Sequence, residues 1–284
     1  MTGLLASLGS VFILQELGIA WTWFIGIAVL LNLVIVYGLH VVGLKKGLGI
    51  ISVIVGLGLF STMSLEYQSG LDVLVEDGFS GLNDKSVGVV VNHTSLGHEG
   101  THLIELLHTA GIRIVSVFSP EHGFTGVADA GEMLTDGIEP LTGAPIYSLY
   151  GKTRKPIREM LNGLDVLIFD MQDIGVRYYT YISTLTLTME AGAGKGIPVI
   201  VLDRLNPLGR DIKGPVLDIE FASFVGMHPI PVRHGMTIGE LATMINEEGW
   251  LSGGVKANLK VIQYEGKPKK DDQIAAFTPP PSPN

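Results

Sequence analysis

Four short runs of β-branched and aliphatic residues, 87–91, 113–118, 165–169 and 198–202, each stop abruptly at polar side chains. No other feature narrows the folds open to this chain as much. A short apolar run without alternation reads as a strand buried on both faces. The intervening segments carry helical spacing, with Leu103, Leu106 and Leu107 in 100–110 and a longer helix over 180–194. Two further strands are predicted at 145–149 and 259–263, and a short helix led by Pro156 at 156–161. A helix over 237–246 opens on a capping box, with Thr237 as N-cap and Glu240 three residues on. This alternation predicts an α/β, Rossmann-like fold: a mostly parallel sheet with helices on both faces. Asn92-His93-Thr94-Ser95 follows the first strand where a G-x-G-x-x-G or Walker sequence would stand. A dinucleotide or nucleoside triphosphate cofactor is therefore not expected, and no other cofactor is indicated.

The N-terminus is of another kind. Residues 1–70 contain only Glu16, Lys45, Lys46 and Glu66 as charges. The apolar stretch 17–44 exceeds the roughly 20 residues that span a bilayer core, and 47–64 is a second candidate. Lys45-Lys46 between them should stay cytoplasmic, and Trp21 and Trp23 suit an interfacial belt. The expectation is an N-terminal transmembrane helical hairpin. It would make the protein membrane-anchored, with all that follows facing the periplasm or cell exterior. Domain boundaries are read as 1–70 for the anchor, 71–266 for a Rossmann-like catalytic domain and 267–284 for a Pro-rich linker. A net charge of −9 without a basic stripe argues against nucleic acid as partner. The absence of cysteine removes thiol chemistry.

If the sheet is parallel, the polar strand ends share one edge, where open α/β sheets bind ligands. That edge gathers Asn92 and His93; Ser119, Glu121 and His122; Asp170, Gln172 and Asp173 with Arg177, Tyr178 and Tyr179; and Asp203, Arg204 and Asn206. Carboxylates, amides, imidazoles, tyrosines and arginines together suit a sugar, and an arginine fork suits an acidic one. Glycoside hydrolysis needs an acid to protonate the leaving oxygen, usually with a second carboxylate. Glu121 is the candidate general acid, and Asp170 and Asp173 are candidate second carboxylates. His93, His98 and His102 are sequence neighbours that Glu121 and His122 could join around a metal, but no tight ligand spacing such as H-E-x-x-H is present. No metal is expected.

Eight blocks resemble one family in order. They include Asn92–Ser95, Ser119-Pro120-Glu121-His122-Gly123-Phe124-x-Gly126, Ala128-Asp129-Ala130-Gly131-Glu132, Tyr147–Gly151 and Asp170-x-Gln172-Asp173-x-Gly175-x-Arg177-x-Tyr179-Thr180-Tyr181. Asp203-Arg204-x-Asn206-Pro207-Leu208-Gly209, Gly214-Pro215-x-Leu217-Asp218 and Pro231-Val232-Arg233-His234-Gly235-Met236-Thr237 complete the set. The chain from about residue 71 is similar to the exo-β-N-acetylmuramidases of the NamZ type, formerly a domain of unknown function, DUF1343. The resemblance implies release of terminal non-reducing N-acetylmuramic acid from peptidoglycan, with Glu121 as catalytic residue. Within the matched blocks Asp129 and Glu132 join Asp170 and Asp173 as candidate second carboxylates, and substrate contacts are expected among Asn92, His93, Ser119, His122, Asp129, Glu132, Arg177, Tyr179, Arg204, Asn206, Arg233 and His234. The family places its cleft against a smaller C-terminal domain, toward which 267–284 would lead. The rival readings are a wall-sugar-binding module without catalysis and a metal-dependent hydrolase.

Overall fold

The computed structural model describes residues 66–125, 136–277 and 279–280. In chain order its strands are β1 (Ser86–Val91), β2 (Arg113–Ser119), β3 (Gly137–Ile138), β4 (Pro145–Ser148) and β5 (Val166–Asp170). They continue with β6 (Val199–Leu202), β7 (Lys213–Val216), β8 (Pro231–Arg233) and β9 (Leu259–Ile262). Its helices are α1 (Gly70–Glu76), α2 (Leu103–Thr109), α3 (Tyr181–Lys195), α4 (Ile238–Glu247) and α5 (Lys270–Ala275).

One sheet runs β3-β4-β2-β1-β5-β6-β9, all parallel except β3, which pairs antiparallel with β4. Setting β3 aside, the order is that of a doubly wound fold, with its switch point between β1 and β5. β7 and β8 form a separate antiparallel pair. The α/β fold is thus as the sequence predicts.

Side chains of β1 alternate between two cores. Val87, Val89 and Val91 meet Leu71 and Leu74 of α1 and Leu103, Ile104 and Leu107 of α2. Val90 joins Phe118, Leu167 and Phe169 under Ile182, Leu185 and Met189 of α3 and Leu241 and Ile245 of α4. Helices therefore cover both faces, and the continuous apolar runs follow from that double burial. Burying each such side chain contributes about 1.5–3 kcal/mol.

Three segments differ from expectation. Residues 158–163 form turns, not a helix, with bonds from Met160 N to Ile157 O and from Leu161 N to Arg158 O. The stretch between Pro156 and Gly163 is too short to offset the cost of helix nucleation. α1, which the spacing did not suggest, is held by a capping box: Ser69 Oγ accepts from Asp72 N while Asp72 accepts from Ser69 N. The polar tail contains α5, beyond which the carbonyl oxygen of Pro280 lies 2.7 Å from His93 Nε2.

No helix among the described residues is long and apolar enough to cross a membrane. The expected hairpin lies outside the described residues, apart from the end of the 1–70 segment.

Candidate active site

Strand register brings two loops together at the carboxyl edge. Ser119 of β2 pairs with Ser148 of β4, and Leu149 N donates to Ser119 O at 2.8 Å. Glu121 and Tyr150 each stand two residues past that pair. Gly123 N donates to Pro120 O at 3.1 Å, closing a turn in which Glu121 is second and His122 third. His122 is buried with φ of 70°, a position usually filled by glycine or asparagine. A non-glycine residue held there is a form of local strain common at functional sites. Thr180 Oγ1, just before α3, donates to Glu121 Oε2 at 3.3 Å. The Tyr150 phenol stands close enough to Glu121 for that side chain, helped by burial, to raise its pKa. Ser148 Oγ fixes the Tyr150 backbone by accepting from its N–H and donating to its carbonyl.

At the switch point the side chains serve one another. Asn92 Nδ2 donates to Tyr181 Oη at 2.7 Å, while Asn92 Oδ1 accepts from Thr94 N and Thr94 Oγ1. Burial pushes the Tyr181 phenol up to about 12. Its ring lies 4.5 Å from that of Tyr179. Ser95 Oγ donates to the Asp170 carbonyl.

Most of the charged candidates are engaged in holding loops. Arg204 grips Asp170 with both prongs, Nε to Oδ1 at 2.6 Å and Nη2 to Oδ2 at 2.9 Å, and Nη2 also reaches Leu96 O. Both side chains are buried. Burial opposes the Arg204 charge, but attraction and hydrogen bonds from Asp170 outweigh it and its pKa is raised. Asp203 receives Arg204 N, Thr237 Oγ1 and Gly239 N at the start of α4. Glycine is required at 239, because a Cβ would lie 2.7 Å from the Asp203 carboxyl carbon. Burial nevertheless pushes the Asp203 carboxyl up.

The β5–α3 loop is tied from behind. Asp173 Oδ2 accepts from Gly175 N at 2.8 Å and lies 3.2 Å from Nε2 of fully buried His234. That imidazole contact is off-line, and neither His234 Nε2 nor Asp173 Oδ1 has a hydrogen-bond partner among the described residues, so the pairing is chiefly electrostatic. His234 Nδ1 accepts from Met236 N, which leaves the ring proton on Nε2. Arg177 N donates to Val232 O, and its Nη1 donates to Pro215 O and Ile230 O. Gln172 Nε2 donates to Leu205 O, Asn206 Nδ2 to Met236 O, and Arg233 Nη2 to Leu208 O.

The edge expected from sequence therefore exists, but it is divided. Glu121 faces hydroxyls, while Asp170, Asp173, Arg177, Arg204, Asn206, Arg233 and His234 brace loops. Asp129 and Glu132 lie outside the described residues. His102 does not join a metal cluster: it caps α2 by accepting from Ile104 N and donates to Asn92 O, and burial lowers its pKa. His98 is exposed nearby. Sequence reasoning missed Tyr150 and Thr180, although both fall inside blocks it had singled out. A cavity of about 370 Å³ opens farther along the edge, lined by Tyr67, Thr94, Gln172, Arg204 and Asp272 of α5, and does not include Glu121.

A family model described as exo-beta-N-acetylmuramidase NamZ, N-terminal, matches residues 87–284. The peptidoglycan beta-N-acetylmuramidase NamZ of Bacillus subtilis (strain 168) is 44% identical over 222 residues, 76% of this chain and 52% of that protein. A crystal structure of a DUF1343 family protein from Bacteroides fragilis NCTC 9343 matches with TM-score 0.67 and 42% identity, over 74% of this chain and 53% of that one. A second from the same organism matches with TM-score 0.63 and 36% identity, over 71% and 53% respectively. The chain spans about half the length of these relatives. With the model running from the first strand to the last residue, the chain belongs to the NamZ exo-beta-N-acetylmuramidase family and corresponds to its N-terminal domain.

Proposed function

We propose that this chain carries the catalytic acid of an exo-acting glycoside hydrolase that releases terminal, non-reducing N-acetylmuramic acid from peptidoglycan fragments. The observation that carries this reading is the situation of Glu121. Of the strand-end carboxylates among the described residues, Asp170 is gripped by an arginine, Asp173 by a histidine and a backbone amide, and Asp203 by the start of α4. Glu121 is half-buried and met by hydroxyls, at a turn held in a strained conformation. A carboxyl so placed remains available to protonate a glycosidic oxygen. Tyr178, exposed just before Tyr179 and Thr180, offers an apolar face of the kind that covers a sugar ring.

In this reading Asp170 and Asp173 support the site rather than act as second carboxylate. That role falls to Asp129 or Glu132, or to the N-acetyl group of the substrate as internal nucleophile. We read 17–44 and 47–64 as membrane spans that hold the domain outside the cytoplasm, supported by their composition and by Lys45-Lys46 between them. A protease added to intact cells should then remove an epitope placed at the C-terminus.

The decisive measurement is turnover of a chromogenic N-acetylmuramide by Glu121→Gln. Loss of nearly all turnover is expected, and full activity would overturn the assignment. Sugar binding without release by the unaltered chain would favour a wall-binding module instead.

A further inference from the structure

We propose that Tyr150 is a further catalytic residue, a donor aimed at the charge that grows on Glu121 as it gives up its proton. This rests on the glycosidase reading above.

Position comes first. β2 and β4 are adjacent parallel strands whose last residues pair, Ser119 with Ser148. The loops that carry Glu121 and Tyr150 therefore leave the edge side by side, each residue two places past its strand's end. One such residue is a carboxylic acid and the other a phenol. The Ser148 side chain bonds the Tyr150 backbone from both sides, so the ring is set on an ordered turn. Thr180 approaches the same carboxylate from a third loop, the one before α3. Thr180 thus bonds Glu121 from one loop while Tyr150 stands beside it on another.

Chemistry gives the convergence a purpose. A general acid begins neutral and ends as a carboxylate. When Glu121 hands its proton to the leaving oxygen, negative charge develops on its own two oxygens. A hydroxyl already aimed there bonds more strongly to the product carboxylate than to the starting acid. Such a donor lowers the barrier because its interaction strengthens along the reaction. No covalent bond to Tyr150 is made or broken, and its proton stays on its own oxygen. Arg154, the remaining charged group acting on the phenol, pulls its titration the other way from Glu121.

The test uses the 284-residue chain with Tyr150→Phe, Thr180→Val and Glu121→Gln variants. On a chromogenic N-acetylmuramide, Tyr150→Phe should lose on the order of 100-fold in kcat with KM little changed. The alkaline limb of its pH profile should move upward, because the acid then parts with its proton less readily. Thr180→Val should move that limb the same way by less. The Tyr150 phenol should titrate at lower pH in Glu121→Gln than in the unaltered chain, followed by NMR of 13C-labelled tyrosine. A loss confined to KM, or a phenol titration that ignores Glu121→Gln, would overturn the proposal. If the unaltered chain releases no sugar, the glycosidase reading fails, and the proposed catalytic role of Tyr150 fails with it. The phenol titration would still report whether the two side chains are coupled.

Discussion

Asp170 and Glu121 leave the same edge of one sheet, at the ends of β5 and β2, with β1 between them. Asp170 is fully buried, held by both prongs of Arg204, and its carbonyl accepts from Ser95. Glu121 is half-exposed, on a turn with a left-handed histidine, and among the described residues its carboxylate accepts from the Thr180 hydroxyl. The difference separates two uses of a carboxylate. A buried ion pair balances a large desolvation cost against a large attraction and has little freedom left over. A carboxyl met by neutral donors at a solvent-reachable turn can change its protonation without dismantling its surroundings. Architecture belongs to the first, and chemistry is proposed for the second.

That division can be tested by stability and turnover together. The largest effect on stability should come from Arg204→Met, which strands a buried carboxylate and should cost about 3–5 kcal/mol in urea unfolding. A cost below about 1 kcal/mol would mean the pair is not the brace described. Next comes His228, buried against Trp250 and 2.7 Å from Thr186, whose pKa burial lowers to about 4 despite the attraction of Glu190. Its neutral form is favoured in the fold. The contribution is fully present above the unfolded value near 6.5 and is lost as pH falls toward 4, on the order of 3 kcal/mol in all. His228→Phe should flatten the fall of the urea midpoint between pH 7 and 4.5, and an unchanged slope would assign the acid sensitivity elsewhere. Asp173→Ala should cost about 1–3 kcal/mol by freeing Gly175 N and leaving His234 without its carboxylate. Its remaining turnover should fall less than that of Glu121→Gln. The smallest stability effect, within about 0.5 kcal/mol, is expected for Glu121→Gln itself. If that variant unfolds as readily as Arg204→Met, the two carboxylates are not different in kind.

Much of this was legible in the chain, for reasons that differ by element. β1, β5 and β6 announce themselves because burial on both faces leaves an unbroken apolar run, and β2 does so despite Arg113 and the buried Ser116. α4 was legible from Thr237 and Glu240, and both halves of its capping box are present. β7 was not, because all four of its residues are exposed and carry no apolar pattern. At the site, residue types could be read but not their partners. Asp170, Arg204, Asp173 and His234 look catalytic in sequence, and only three dimensions show them facing one another. Tyr150 was overlooked for the complementary reason: nothing near it in the chain signals an acid that lies 29 positions away and reaches it through strand pairing.

Parallel strands lie about 4.8 Å apart, a spacing set by the backbone and insensitive to side chains. Because Glu121 and Tyr150 stand equally far past a paired Ser119 and Ser148, the sheet works as a ruler for the distance between acid and phenol. Point substitutions can change what stands at either mark but not where the marks are. One residue inserted before Glu121 or before Tyr150 would move one mark by about 3.3 Å, far enough to part the two groups while leaving every strand in place.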